Sequence, residues 1–281
     1  MILATRGSAL AMAQAELVRR KLEASGEPVT ILPVTTRGDR DRIRALSEIG
    51  GDGLFIRELE KKLLSGEADL AVHCGKDLPF RLAEGLMIGG TPEMGDPRDC
   101  LLKLPDGENR IGTGSPRRIL EYRKLEPEAV FAEIRGNINT RIGRLREGRY
   151  GGIILAKAGL DRLRPDLEGL SVRIFSTEEM IPSPCQGILA AECRADDRKT
   201  QELLKKISDP SAERRFTVER CLFQKMQADC ATPVGIYAEF AGADGEELHI
   251  RALLGGKYAD KRGPASDYER LCEEICREIC R

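Results

Sequence analysis

The sequence predicts an α/β fold in which one strand–helix unit is inserted into another. Two observations predict it. Short apolar runs alternate with amphipathic stretches from Ile2 to Ala156, the pattern of helices packed on a mainly parallel sheet. Prolines cluster at residues 91–97 and again at 181–184, on either side of a second such series. The chain is therefore expected to cross into a second lobe and return. Two lobes joined by two crossings form a hinged cleft that can close on a ligand, and in such sheets the ligand crevice lies beyond the strand C-termini.

The elements follow in order. Residues 2–5 form a short strand, Arg6-Gly7 turns the chain, and Ser8 caps a helix to about Ala24 with Leu10, Ala13, Leu17, Val18 and Leu22 at helical spacing. Residues 29–35 are the next strand, closed by Thr36-Arg37-Gly38-Asp39. After the flexible loop Gly50-Gly51-Asp52-Gly53, residues 54–64 form an amphipathic helix ended by Ser65-Gly66. Residues 70–73 are a strand running into Cys74-Gly75-Lys76-Asp77. In the second series Ile111 ends a strand, Gly112-Thr113-Gly114 turns tightly, Ser115 is a good N-cap and Pro116 fits the first helical position. Residues 130–134 are a strand leading into Arg135-Gly136-Asn137, a helix from about Asn139 carries Arg141, Ile142 and Leu145, and residues 152–156 are a buried strand. Beyond Cys185-Gln186-Gly187 come a helix over 211–222, a loop at 230–235, a hairpin-like pair at 236–240 and 248–253, and a helix from Asp267.

Composition bounds the function. A chain of 281 residues supports two or three domains with substantial cores. Net charge is −1, so no global basic field favours nucleic acid, and any anion site must be focal. No run of about 18 apolar residues suggests a membrane span. The start, Met1-Ile2-Leu3-Ala4-Thr5-Arg6-Gly7, lacks a signal-peptide pattern, and nine scattered cysteines read as reduced thiols, so a cytoplasmic protein is expected. There is no CxxC, and His73 and His249 lie far apart, so no metal site is expected. Cys272, Cys276 and Cys280 share one face of the last helix and read as core packing rather than a metal or redox stripe.

The chemistry concentrates at arginines after strand ends. Arg117 and Arg118 fall in a first helical turn, where the macrodipole is already positive and each cation is unfavourable by roughly 0.3–1 kcal/mol. An anion opposite them explains their presence, since free N–H groups and two guanidinium forks suit a carboxylate or phosphate. The same device of strand, basic residue, small residue and helix cap recurs at Thr5-Arg6-Gly7-Ser8 and Ile134-Arg135-Gly136-Asn137, with Arg141 close behind. Arginine rather than lysine favours planar, bidentate groups. A nucleotide is disfavoured: there is no G-x-x-x-x-G-K-[ST], and Gly112-x-Gly114 continues to Arg117 rather than glycine. A ligand with several carboxylates remains. Lys76-Asp77 at a strand end can serve as an acid–base pair or as acceptor for a developing cation.

These residues together resemble a known family. Ala4-Thr5-Arg6, Thr36-Arg37-Gly38-Asp39, Gly53-Leu54-Phe55, Ala71-Val72-His73 with Lys76-Asp77, and Asp96-Pro97-Arg98-Asp99 match motifs of porphobilinogen deaminase, also called hydroxymethylbilane synthase. So do Gly112-Thr113 with Ser115 and Arg117-Arg118, Arg135-Gly136-Asn137 with Thr140-Arg141, Ile154-Leu155-Ala156 with Ala158-Gly159-Leu160, and Gln186-Gly187. Cys230 with Pro233 and Gly235 is similar to the family's cofactor-attachment loop. The resemblance implies two lobes like those of type II periplasmic binding proteins, residues 1–91 with 185–208 and residues 92–184, and a small α+β domain at 209–281. It implies stepwise condensation of four porphobilinogen molecules into hydroxymethylbilane, with loss of ammonia, in tetrapyrrole (haem) biosynthesis by a monomer. A dipyrromethane cofactor would be held by a thioether to Cys230 and by Lys76, Ser115, Arg117, Arg118 and Asp77. Asp77 matches the catalytic aspartate. Arg6, Arg135, Arg141, Arg162 and Gln186 match positions that bind substrate.

The chain departs from the family pattern at Asp52, where lysine is usual, at Cys74 and Gly114, each replacing a serine, and at Ala228-Asp229, which replace two glycines before Cys230. A carboxylate at Asp229 raises the pKa of a neighbouring thiol. The competing expectation is a non-catalytic or degenerate hinged anion-binding protein of the same fold, which would keep the arginines and have no use for Asp77 or Cys230.

Overall fold

The computed structural model describes residues 1–35, 56–79, 81–228 and 232–280. The turn at 36–39, the loop residues 50–55 including Asp52, and Asp229 and Cys230 lie outside the described residues. Contacts divide the chain into two units, Met1–Gly95 with Gly187–Phe216, and Asp96–Gln186 with Thr217–Arg281.

In chain order the first unit opens with β1 (Ile2–Arg6), α1 (Ala9–Ala24), β2 (Thr30–Val34), α2 (Arg57–Leu64), β3 (Leu70–Cys74), a one-turn helix at Gly75–Asp77, and β4 (Leu86–Met94). The second unit begins with β5 (Asp99–Lys103), β6 (Arg110–Gly112), α3 (Pro116–Leu125) and β7 (Val130–Ala132). It continues with α4 (Ile138–Arg146), β8 (Gly152–Ala156), α5 (Lys157–Leu163) and β9 (Ser171–Ile174). The chain returns as β10 (Ile188–Arg194) and α6 (Arg198–Ile207), then runs through α7 (Pro210–Met226), β11 (Val234–Ala241), β12 (Glu247–Leu254), β13 (Lys257–Pro264) and α8 (Tyr268–Ile279).

The caps form where the sequence places them. Ser8 Oγ accepts from the Ala11 N–H at 3.3 Å, Ser115 Oγ from the Arg118 N–H at 3.4 Å with Pro116 at the first helical position, and Asn137 Oδ1 from the Thr140 N–H at 2.9 Å. Three sheets result. The first has the order β2-β1-β3-β10-β4, the second β7-β6-β8-β5-β9, and the third is the antiparallel β11-β12-β13. The first two are mixed rather than mainly parallel. β1 runs parallel to β2 and β3, but β10 is antiparallel to β3 and β4; likewise β6 is parallel to β7 and β8, but β5 is antiparallel to β8 and β9. β5 and β10 are the first strands after each crossing. A strand arriving from another unit has no crossover helix to fix its direction.

Each sheet buries an apolar face. In the first unit Leu3, Val18, Leu22, Leu70, Leu189 and Leu204 pack together. Here α6 lies directly on β4, and a Cβ on Gly90 would come within 2.7 Å of the Leu204 carbonyl oxygen, which accounts for Gly89-Gly90 inside a strand. In the second unit Leu102, Ile134, Leu145, Ile153 and Leu155 form one face. The third sheet packs Ile236, Leu248 and Ile250 against Leu222 of α7 and Leu271, Cys272, Ile275 and Ile279 of α8. Cys272 is a core residue there, Cys276 sits at its edge and Cys280 is exposed. No helix among the described residues is long and apolar enough to cross a membrane.

Candidate functional site

In the first unit two adjacent parallel strands deliver charged groups to one edge of the sheet. β1 ends at Arg6, and β3 runs straight into the Gly75–Asp77 turn. Arg6 and Lys76 are half-buried and Asp77 is exposed, making no side-chain hydrogen bond or ion pair to another described residue. The ground beneath is rigid. Gln14 of α1 donates to Cys74 Sγ at 3.0 Å, and the fully buried pair His73 Nε2–Glu192 Oε2, 2.9 Å apart, ties β3 to β10.

In the second unit a knot of charge gathers on Asp99, the first residue of β5. Asp99 is 0% exposed, Arg117 4% and Arg118 8%. Asp99 Oδ2 accepts from Arg117 Nη2 at 2.7 Å; Oδ1 accepts from Arg118 Nη2 at 2.7 Å and Nε at 3.1 Å, and from Gln186 Nε2 at 3.1 Å. Gln186 also donates to the Pro97 carbonyl at 2.6 Å. The anion facing the two guanidiniums at this helix start is thus the chain's own carboxylate, which offsets the unfavourable dipole and the burial together. Arg118 Nη1 donates to the Ile154 carbonyl at 3.0 Å and Arg117 Nη1 to the Ile181 carbonyl at 2.6 Å.

Next to this knot stands a second group of cations. Arg141 Nε donates to the Gly136 carbonyl at 2.8 Å, Arg144 Nη1 to the Arg135 carbonyl at 3.0 Å, and Arg135 pairs with Glu133. Neither Arg141 nor Arg144 pairs with a carboxylate among the described residues. Burial, then repulsion from Arg118 and Arg144, pushes the Arg141 pKa down to about 10. Arg162 is half-buried near the end of α5.

Arg117, Arg118 and Gln186 therefore meet around Asp99, with Ser115 capping the helix that carries the two arginines and Arg141 near enough to feel Arg118; Arg6, Lys76 and Asp77 share the sheet edge of the first unit. Cys230 lies outside the described residues. Sequence reasoning named Asp99 only within a family motif, without a role, and passed over Glu121 and Arg144. An acid opening the apolar run Asp99-Cys100-Leu101-Leu102 was the available signal, because a buried carboxylate requires cations beside it.

Glu121, 2% exposed, sits one turn beyond Arg117, and burial pushes its pKa up to about 7 against the partial relief of Arg117. A carboxyl raised in the folded state binds more protons there than in the unfolded chain. Its contribution to stability is present below about pH 4.5 and is lost as pH rises to about 7. At about 1.4 kcal/mol per pH unit the loss is on the order of 3 kcal/mol. Glu121→Gln is therefore expected to melt above the wild type at pH 8 and to lose that advantage at pH 4.5. A difference that does not change with pH would remove Glu121 as the cause.

Comparison with solved structures returns distant likenesses. The chain is 15% identical to YhfZ from Shigella flexneri, covering 78% of this chain and 93% of that one, with a TM-score of 0.39. It is 13% identical to the periplasmic VFT2 domain of Bordetella pertussis BvgS, covering 77% and 91%, with a TM-score of 0.45. A putative periplasmic sulfonate-binding protein, SsuA from Methylobacillus flagellatus KT, is 14% identical over 80% of this chain and 67% of that one, with a TM-score of 0.41. At the level of sequence families the result is direct. Residues 1–202, which include every described site residue above, match the family model of the porphobilinogen deaminase dipyrromethane cofactor binding domain, and the chain belongs to that family.

Proposed function

We propose that the chain is a hydroxymethylbilane synthase, joining four porphobilinogen molecules head to tail with loss of ammonia. The observation that carries this reading is the surplus of guanidinium groups beside Asp99. Arg117 and Arg118 share that carboxylate, whereas Arg141 and Arg144 have only backbone carbonyls as partners among the described residues. Each porphobilinogen unit brings an acetate and a propionate, so a pyrrole chain supplies the missing anions in the bidentate form that arginine binds best.

The donor set fits a dipyrromethane group. Lys76, Ser115, Arg117 and Arg118 would hold its side chains, and Cys230 its thioether. When bound, that group supplies a tethered pyrrole carbon as acceptor. Residues 209–281 would form the domain that carries the attachment cysteine. Attachment through Cys230 keeps the acceptor at high effective concentration. Arg6, Arg135, Arg141 and Arg162 would bind the carboxylates of incoming substrate, while Gln186, buried with its amide nitrogen donating to Asp99 and to the Pro97 carbonyl, would serve the site by holding Asp99 in place. Asp77, exposed at the end of β3, would accept the pyrrole N–H and offset positive charge on the incoming ring as ammonia leaves.

Incubation of the purified protein with porphobilinogen, following linear tetrapyrrole and ammonia, is the test, together with intact mass. Tetrapyrrole formation by a protein whose mass exceeds the sequence by two pyrrole units, lost in Cys230→Ala, is expected. Unmodified Cys230 in protein made with substrate available would defeat the attachment. Tight binding of porphobilinogen without turnover would leave a hinged anion-binding protein.

A further inference from the structure

Glu121 has no place among the ligand-binding residues above, yet it is buried beside them. Its Oε1 accepts from the Ile181 N–H at 3.0 Å and its Oε2 from Arg117 Nη1 at 3.4 Å, while the same Nη1 donates to the Ile181 carbonyl at 2.6 Å. Both backbone groups of one residue are thus gripped by two side chains a turn apart on α3. Ile181 opens the stretch that ends at Gln186, whose amide is itself held by Asp99 and the Pro97 carbonyl. On its other side this stretch is registered with the third sheet. The Ile236 N–H donates to the Pro182 carbonyl at 2.9 Å, and a Cβ on Gly235 would lie 3.1 Å from Ile181. Glu219 of α7 closes the joint by accepting from the N–H groups of Cys185 at 2.5 Å and Ala238 at 3.1 Å.

We propose that Glu121 is a positioning residue for the arginine site, holding residues 181–186 and the guanidinium of Arg117 in fixed register with Asp99 and Arg118. The proposal rests on the reading that Arg117 and Arg118 bind the carboxylates of the acceptor pyrroles. Orientation of an acceptor affects the chemical step rather than capture of free substrate, and a misplacement of about 1 Å costs on the order of 10²-fold in rate. The charged and titratable groups facing Glu121 are Arg117 and Lys124 of its own helix, Asp99 of β5 and Tyr258 of β13, over whose ring the Lys124 ammonium lies at 3.3 Å. Charge and reach can therefore be varied separately.

The test uses the holoenzyme in three variants. Glu121→Met removes both acceptor oxygens at similar volume, Glu121→Asp keeps the charge but falls a methylene short of Ile181, and Glu121→Gln keeps one acceptor for the Ile181 N–H. Amide hydrogen exchange at Ile181 and steady-state kinetics are read together. Expected are faster exchange at Ile181 in the Met and Asp variants, with kcat down about 10- to 100-fold and KM within about twofold, and recovery of most of both in Gln. If the Met variant does not fold, the Asp variant carries the same expectation. Wild-type kinetics despite faster exchange, unchanged exchange, or a change confined to KM overturns the proposal. If the wild-type protein makes no tetrapyrrole, the proposed function fails by itself, and exchange at Ile181 still decides whether Glu121 holds the segment.

Discussion

Asp99→Ala is expected to destabilise the protein by about 3–5 kcal/mol, the range for breaking a buried ion pair by removing one partner. The loss is large because one carboxylate serves two buried guanidiniums and the Gln186 amide. Without it, Arg117 and Arg118 remain out of water and uncompensated, with Arg141 already repelled by Arg118. The side chains cannot swing out freely, since each is also bound to a backbone carbonyl, of Ile181 or Ile154. Asp99→Asn restores one acceptor but points an amide donor at a guanidinium, so it should recover only part of the loss. Urea unfolding gives the measurement. A midpoint for Asp99→Ala at the wild-type value would mean the arginines find other anions, and the account of the knot would be wrong.

The same knot shows what a sequence can and cannot convey. Ser115-Pro116-Arg117-Arg118 announced a helix start with cations where the dipole is positive, and the structure has that cap and that helix. The anion expected opposite them was a ligand's. Its source in the structure is Asp99, in a different element and paired by tertiary packing, which local spacing does not encode. Glu121 was invisible for the same reason: one turn after Arg117 it reads as an ordinary surface i,i+4 partner, and tertiary packing, with Ile181 donating to it, buries it. Three of the strands that escaped the sequence share one explanation, their place at sheet edges. β4 contains Gly89-Gly90 and Pro92, because α6 presses on it and it is an edge strand, so its pattern resembles a loop. β9 and β13 are also edges, and their exposed residues lack the apolar alternation that marked β1, β3 and β8. Of the strands that were legible, β1, β3 and β8 lie in sheet interiors, where burial on both faces leaves a nearly continuous apolar run, but β2, β7 and β11 are edges. Interior β5 and β10, the first strands after each crossing, went unread beside the prolines that mark the crossings.

The first unit invites the opposite experiment, one in which stability stays still and rate moves. Asp77→Asn is expected to lower kcat for tetrapyrrole formation by about 10²–10³-fold, the scale for removing one preorganised group aimed at a developing charge. KM should stay within about twofold and the melting temperature within a degree or so, because Asp77 is exposed and its side chain bonds to no other described residue. Its fixed place comes from the backbone: a one-turn helix at Gly75–Asp77 springs from β3, whose end is braced by Gln14 on one side and by the His73–Glu192 pair on the other. Asparagine keeps the size and one acceptor oxygen for a pyrrole N–H, so what disappears is the negative charge. An effect on kcat alone therefore locates that charge opposite a cation that exists only after ammonia begins to leave. A rise in KM with kcat preserved would make Asp77 a substrate-binding group, and rates near wild type would take it out of the chemistry altogether.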